Sequence, residues 1–302
     1  MKTRYEEIVD VTKIATIYEN NLSEVIQMAE KETLRPAIKD GKTALLLVID
    51  LQNDFMEGIG SLAVPGSKGD VERLTSFLYN HMEDVTQVMC SLDTHYTTQI
   101  FHTIWWEDES GNHPDPYAII TYDDVSRGKY KPVIGELSKS LEYLKKLEEN
   151  GKKKLCVWPY HCLAGSTGAN LETEFTKMLY FHSVTRKSRP ILIQKGTDPY
   201  SEMYGIIKPE YDHGKNFLNM VVLNAIEHFD EIYLAGEAAS HCLIESGEQI
   251  LEYYQNRPEI TSKITILEDC TSPISGYEKE TRDGFERLKA TYGITVRKST
   301  EI

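Results

Sequence analysis

The stretch Ala44-Leu45-Leu46-Leu47-Val48-Ile49 is apolar without a break and stops at Asp50. It is too short for a helix, so it predicts a strand buried on both faces, of the kind found in parallel sheets covered by helices. Beyond it the two hydrophobic periods alternate. The spacing predicts a helix over 71–82, a strand over 86–92 ending at Asp93, a helix over 136–149 and a short strand over 154–158. A helix over 171–184, a strand over 190–195, a helix over 216–229 and a strand over 231–235 follow. The pattern closes with a helix over 242–254, a strand over 263–268, a helix over 279–292 and an edge strand over 295–297. Such alternation predicts one α/β fold: a doubly wound, mainly parallel sheet of six strands, with helices on both faces in three layers and right-handed crossovers.

Two segments stand apart from this rhythm. Residues 5–31 carry Ile8, Val9, Ile14, Ile17, Leu22, Val25, Ile26 and Met28 among acids at irregular helical spacing. They predict an N-terminal helical arm over 1–42, suited to an oligomer contact, ahead of a main domain over 43–302. The second is an inserted segment over about 96–134, rich in aromatic residues that include Trp105, Trp106, Tyr117, Tyr122 and Tyr130. Its length exceeds ordinary loops and predicts a functional lid or insertion.

Composition narrows the function. The 302 residues are 40% apolar, enough for a sizeable core, and carry a net charge of −14. Phosphate backbones are bound by clustered Lys and Arg, so nucleic acid is not expected as a partner. Five cysteines, Cys90, Cys156, Cys162, Cys242 and Cys270, form no CxxC pair and indicate neither a disulfide framework nor a zinc ribbon. The first residues lack the apolar stretch of a signal peptide, and no run reaches the roughly 20 apolar residues of a membrane span. A soluble cytoplasmic protein without a membrane partner is the expectation.

In an open parallel sheet, ligands sit beyond the carboxyl ends of the strands. Asp50, Asp93, Lys195 and the turn Gly236-Glu237-Ala238-Ala239-Ser240-His241-Cys242 all fall at such ends. A cysteine at the start of a helix meets unpaired backbone N–H groups and a favourable dipole, which stabilise a thiolate and can hold an oxyanion. An ammonium such as that of Lys195 stabilises the thiolate further, and a carboxylate such as Asp50 can take the thiol proton and return it to a leaving amine. Taken singly, each has a plain reading: a buried Cys242, a turn-capping Asp50, a solvated Lys195. Asp93 and His95, with His161 from a later loop, supply the mixed oxygen and nitrogen ligands that suit Zn²⁺, Mn²⁺ or Fe²⁺. Asp93 as a turn cap and the two histidines as surface residues remain the alternative; His102 and His113 are weaker ligand candidates.

Four motifs carry a resemblance. Asp50-Leu51-Gln52-Asn53-Asp54-Phe55, with Gly60-Ser61-Leu62-Ala63-Val64-Pro65-Gly66 after it, resembles the opening signature of the isochorismatase-like cysteine hydrolases. The stretch from Trp158 to Ala169 resembles the middle motif of the nicotinamidase (pyrazinamidase) branch. Lys195-Gly196-Thr197-Asp198, with Glu202 and Tyr204 following, resembles the lysine motif, and Gly236 to Cys242 the nucleophile motif. The resemblance covers residues 44 to about 297 in unbroken motif order. It implies an isochorismatase-like fold and a metal-dependent cysteine amidohydrolase that converts nicotinamide to nicotinate and ammonia through a thioester, in NAD salvage.

By position, Cys242 would be the nucleophile, Asp50 the acid/base and Lys195 the charge that lowers the thiol pKa. Backbone N–H groups of Ala238 and Cys242 would form the oxyanion hole, with a cis peptide between Glu237 and Ala238. Asp93, His95 and His161 match the metal ligands, which would hold the ring nitrogen of a small amide substrate through a divalent ion, zinc first. Phe55 and Trp158 match aromatics flanking the substrate ring, and Tyr204 and His241 join them as substrate-binding candidates. The chain departs from the pattern in its arm, in its insertion and at the place of a fourth histidine ligand, where Gln99 lies nearby. It also departs at Glu237, commonly apolar, whose carboxylate would favour a cationic or hydrogen-bond-donating substrate if turned inward. The inserted aromatics between Trp105 and Tyr130 would reshape the pocket or cover it at an oligomer interface. Two alternatives stand beside the leading one: a related cysteine amidase or ureido hydrolase acting on another small amide, and a non-hydrolytic binding protein on the same fold.

Overall fold

The computed structural model describes residues 1–19 and 21–302. Six strands build its main sheet: β1 (Ala44–Ile49), β2 (Val85–Asp93), β3 (Ile191–Lys195), β4 (Glu231–Gly236), β5 (Ile264–Leu267) and β6 (Thr295–Arg297). They run in the order β6-β5-β4-β1-β2-β3, and every neighbouring pair is parallel. The uninterrupted apolar sequence of β1 is explained by its central place, with all six residues buried.

The pleat of β1 divides the core. Leu46 and Val48 belong to one cluster with α2 (Ser67–Asn80) and α4 (Thr173–Arg186), through Val71, Leu74, Phe175 and Leu179. Leu45, Leu47 and Ile49 belong to a second, with α5 (Met220–His228), α6 (Ile244–Tyr253) and α7 (Glu278–Tyr292). Side chains alternate across a strand, so one apolar run serves both layers. This is the three-layer, doubly wound fold expected from the periodicities.

Two expectations need correction. The segment predicted as a strand over 154–158 contributes only Leu155–Cys156, which pair antiparallel with Ile119–Ile120 outside the main sheet. Its sequence is apolar enough to be buried, but burial against the insertion satisfies it equally. The insertion has strands of its own, and its two tryptophans do not face a pocket as expected: Trp106–Asp108 pair with Tyr130–Pro132, and Trp105 and Trp106 are almost wholly buried. Their indole N–H groups donate to Ser140 Oγ and to the Ile100 carbonyl, so these two aromatics belong to the core.

Ahead of β1, the helix α1 (Leu22–Ala29) packs on α4, and Ile8, Val9, Ile14 and Val25 join the α2/α4 cluster. The Glu172 and Glu174 carboxylates at the start of α4 accept from the backbone N–H groups of Ala15 and Asp10. Much of the apolar side of the arm is thereby used on its own chain, while Ile17 stays exposed.

Candidate active site

β1, β2 and β3 end at adjacent points, which brings Asp50, Asp93 and Lys195 together. Lys195 Nζ lies 2.8 Å from Asp50 Oδ2 and 3.0 Å from Asp93 Oδ1, and donates to the Met203 carbonyl at 2.9 Å. The same Nζ is 3.7 Å from Cys242 Sγ, so residues from four strand ends meet around one ammonium. Asp50 is held by Ser91, whose Oγ donates to Oδ1 at 2.6 Å and accepts the Asp50 N–H at 3.0 Å. Its backbone stands in the left-handed region at φ 43°, a conformation that costs a side-chain-bearing residue about 1–2 kcal/mol.

Two glycines are demanded by close approach. A Cβ at Gly196 would stand 2.6 Å from Asp93 Oδ1 and 2.7 Å from His95 Cε1. One at Gly236 would fall 2.1 Å from the Ile49 carbonyl oxygen. Past Gly236 the Glu237–Ala238 peptide is cis, and Ala239–Leu243 form a π turn leading into α6. Gly236 N–H donates to Cys270 O, Glu237 N–H to Ile49 O and Ala239 N–H to Ser272 O. Ala238, which lines the pocket, donates its N–H to no acceptor among the described residues.

The charges are strongly coupled. Burial pulls Lys195 down, but the carboxylates of Asp50 and Asp93 override it and hold the ammonium well above its usual range. Burial raises Asp50 despite Lys195, and the Asp93 charge raises it further. For Cys242 burial is the largest effect and lifts the thiol well above its ordinary range; Lys195 pulls it down, while Asp50 and Asp93 push it up. Lys195 thus acts on the thiol in the expected direction, against burial and against the two carboxylates that share its charge.

Asp93, His95 and His161 converge. Asp93 Oδ2 is 2.8 Å from His95 Nε2 and 3.7 Å from His161 Nε2. The far nitrogens of both rings meet backbone carbonyls, Nδ1 of His95 that of Gly196 at 3.0 Å and Nδ1 of His161 that of Pro159 at 2.8 Å. A ring donating from Nδ1 presents an Nε2 lone pair, the usual arrangement of a metal-binding histidine. The donor set therefore fits a divalent ion, and these three side chains form a potential metal-binding group. Gln99 is no ligand: its amide donates to the Gly196 and Asp198 carbonyls. His102 stands closer to this group than its sequence position suggested, with ring centroids 6.1 Å from His95 and 6.5 Å from His161, and its Nε2 is buried without a partner.

Cys242 and this trio share one pocket, which encloses about 450 Å³ of space with its open mouth included. Phe55, Trp158, Tyr204 and His241 all line it. Burial, and then the Lys153 charge, keeps His241 neutral, with its pKa lowered to about 3. Its Nδ1 is 2.8 Å from Ser240 Oγ. Glu202, absent from the expected set, also lines the pocket and accepts from Trp158 Nε1 at 3.0 Å and from Tyr143 OH at 3.0 Å. Burial raises it to about 7, against its Tyr204, Trp158 and Tyr143 bonds. Ser91 was missed as well; a serine two residues before Asp93 in a buried strand was the available signal. Glu237 does not line the pocket: its buried carboxyl lies against Asp70, so it selects no substrate charge.

No family model matches the chain. The nicotinamidase of Saccharomyces cerevisiae is 24% identical over 247 residues, spanning 81% of this chain and 95% of the relative. The structure of the yeast nicotinamidase bound to the inhibitor nicotinaldehyde is similar with a TM-score of 0.59 at 21% identity, covering 84% of this chain and 99% of its own. A nicotinamidase/pyrazinamidase of Acinetobacter baumannii gives 0.58 at 17% identity, covering 87% and 99%. The parallel sheet and its flanking helices are those of the isochorismatase-like hydrolases. The chain thus shares its fold with solved nicotinamidases and is similar in sequence to a nicotinamidase over most of its length.

Proposed function

We propose that this chain hydrolyses nicotinamide to nicotinate and ammonia, with Cys242 as nucleophile. The observation that carries the reading is Cys242 Sγ lying 3.7 Å from Lys195 Nζ, itself 2.8 Å from Asp50, on the pocket that Asp93, His95 and His161 also line. Similarity to a nicotinamidase over 81% of the chain supports the choice of amide.

Proton transfer from the thiol opens the cycle. Asp50, raised by burial, takes the Cys242 proton as sulfur attacks the amide carbon, and Lys195 stays charged beside the sulfur. The unused Ala238 N–H and that of Cys242 are the donors for the oxyanion, where a preorganised donor contributes roughly 2.7–4 kcal/mol. As the C–N bond breaks, Asp50 gives its proton to the amine, which leaves as ammonia. Water then attacks the thioester, losing its proton to Asp50, and the acid departs as Cys242 regains that proton. Asp93, His95 and His161 would hold a divalent ion, which would supply Lewis-acid chemistry to the pocket when bound. Phe55 and Trp158 bound the slot in which the ring lies.

Cys242→Ala tests this reading: ammonia release from nicotinamide should vanish while metal content, measured by elemental analysis, stays as in the wild type. Retained turnover would sink the thiol mechanism.

A further inference from the structure

Glu237 joins β4 to the Cys242 turn, and its side chain is completely buried. Neither of its carboxyl oxygens meets a hydrogen-bond donor in good geometry among the described residues, and Oδ2 of Asp70, on the first turn of α2, is buried in the same condition. These two acids face each other. Asp70 Oδ1 accepts from Arg73 at 2.8 Å, and the Ser272 hydroxyl serves the same carboxylate. Two buried carboxylates in contact do not both stay ionised. Asp70 has the guanidinium, whereas Glu237 has only the more distant charge of Arg73 and the Ser272 N–H turned toward it. A single proton on Glu237, donated to Asp70 Oδ2, gives an orphaned oxygen on each residue its partner.

We propose that Glu237 is a positioning residue: its protonated carboxyl donates to Asp70 and pins the Gly236–Ala239 turn to α2, so that the Ala238 N–H stays aimed into the pocket. The inference rests on the oxyanion role given above to Ala238. Backbone bonds already hold Gly236, Glu237 and Ala239, and the Glu237 side chain ties the same turn to the helix layer. The charged and titratable groups around the pair are Asp70 and Arg73 on α2, with Asp269 and the Cys270 thiol on the loop after β5. Arg73 reaches that loop as well, donating to the Asp269 carbonyl. Burial and the Asp70 charge both favour the neutral acid.

Two variants separate the parts of this idea. Glu237→Leu removes the donor; its kcat for ammonia release should fall roughly 10- to 100-fold with KM within about threefold, as a small misplacement of a reacting group does. Glu237→Gln keeps an N–H donor for Asp70 and should recover kcat to within about threefold of the wild type. Thermal unfolding from pH 5 to 9 supplies a readout that needs no substrate. The unfolded chain releases the Glu237 proton above about pH 4.3, while the folded protein retains it, so wild-type stability should decline with rising pH relative to Glu237→Gln, which has nothing to titrate. Wild-type kcat in the Leu variant, a Gln variant as slow as Leu, or parallel wild-type and Gln unfolding profiles would each overturn the proposal. A wild type inactive on nicotinamide would instead overturn the functional reading, and the unfolding comparison would still decide the state of Glu237.

Discussion

Replacing Lys195 with Met keeps most of the side-chain volume and removes the one ammonium between Asp50 and Asp93, both of which lie within 3.0 Å of it. Removing one partner of a buried ion pair costs about 3–5 kcal/mol, because a charge is left without compensation. With 302 residues and about 2.1 cal/mol/K of unfolding entropy per residue, that cost lowers the unfolding temperature by about 5–8 °C. The loss should depend on pH. Without the lysine Asp93 still has His95 and His161, but Asp50 keeps only Ser91 against burial and the Asp93 charge, so its folded pKa rises further above that of the unfolded chain. The Asp50 penalty is then absent below the unfolded value, near pH 4, and grows as pH increases. The assay is calorimetric unfolding of wild type and Lys195→Met from pH 4 to 8 in chelator, which keeps Asp93 free of metal, alongside ammonia release at neutral pH. A constant gap between the two proteins across that range would refute the claim that Lys195 is held by two ionised carboxylates. Activity above about one thousandth of the wild type would refute its placement beside the reacting sulfur.

Ser91→Ala should leave less of Asp50 ionised at a given pH without touching the pocket. It removes a hydrogen bond to a buried carboxylate, worth about 1.5–3 kcal/mol, and since that bond favours the ionised form, the acid limb of the kcat/KM profile should move to higher pH. Chelation, or His161→Ala, should raise KM for nicotinamide at least about tenfold while thiol alkylation of Cys242 proceeds at its former rate; equal KM with and without metal would remove the ion from substrate binding.

The sequence was most informative where one residue type answers one physical demand. The unbroken apolar stretch before Asp50 could only be a strand covered on both faces, and the observed order places it at the sheet centre. Asp93, Lys195 and Cys242 were visible as chemistry-bearing residues at strand ends, and the topology brings those ends together. What stayed hidden depended on packing direction. Glu202 and Glu237 are both acids near the site, but only the fold shows that one lines the pocket and the other turns toward α2. Trp105 and Trp106 misled because an aromatic-rich insertion reads the same whether its rings fill a core or a pocket. The two carboxylates that share the Lys195 charge were also hidden, because pairing a cation with a cysteine by motif does not show what else surrounds the cation.

The position of β3 has a further consequence. It is the outermost strand of the sheet, joined only to β2, with Leu192 nearly half exposed. Strands held on one side open at lower free energy than central ones, so a native molecule can lose its margin before it loses its core. Here that margin ends in Lys195. Partial opening of a single outer strand would detach the ammonium from Asp50 and Cys242 while β1, β4 and β5 remain folded. Catalytic competence would then have a smaller reserve against heat and denaturant than the globule itself, fixed by one strand among six.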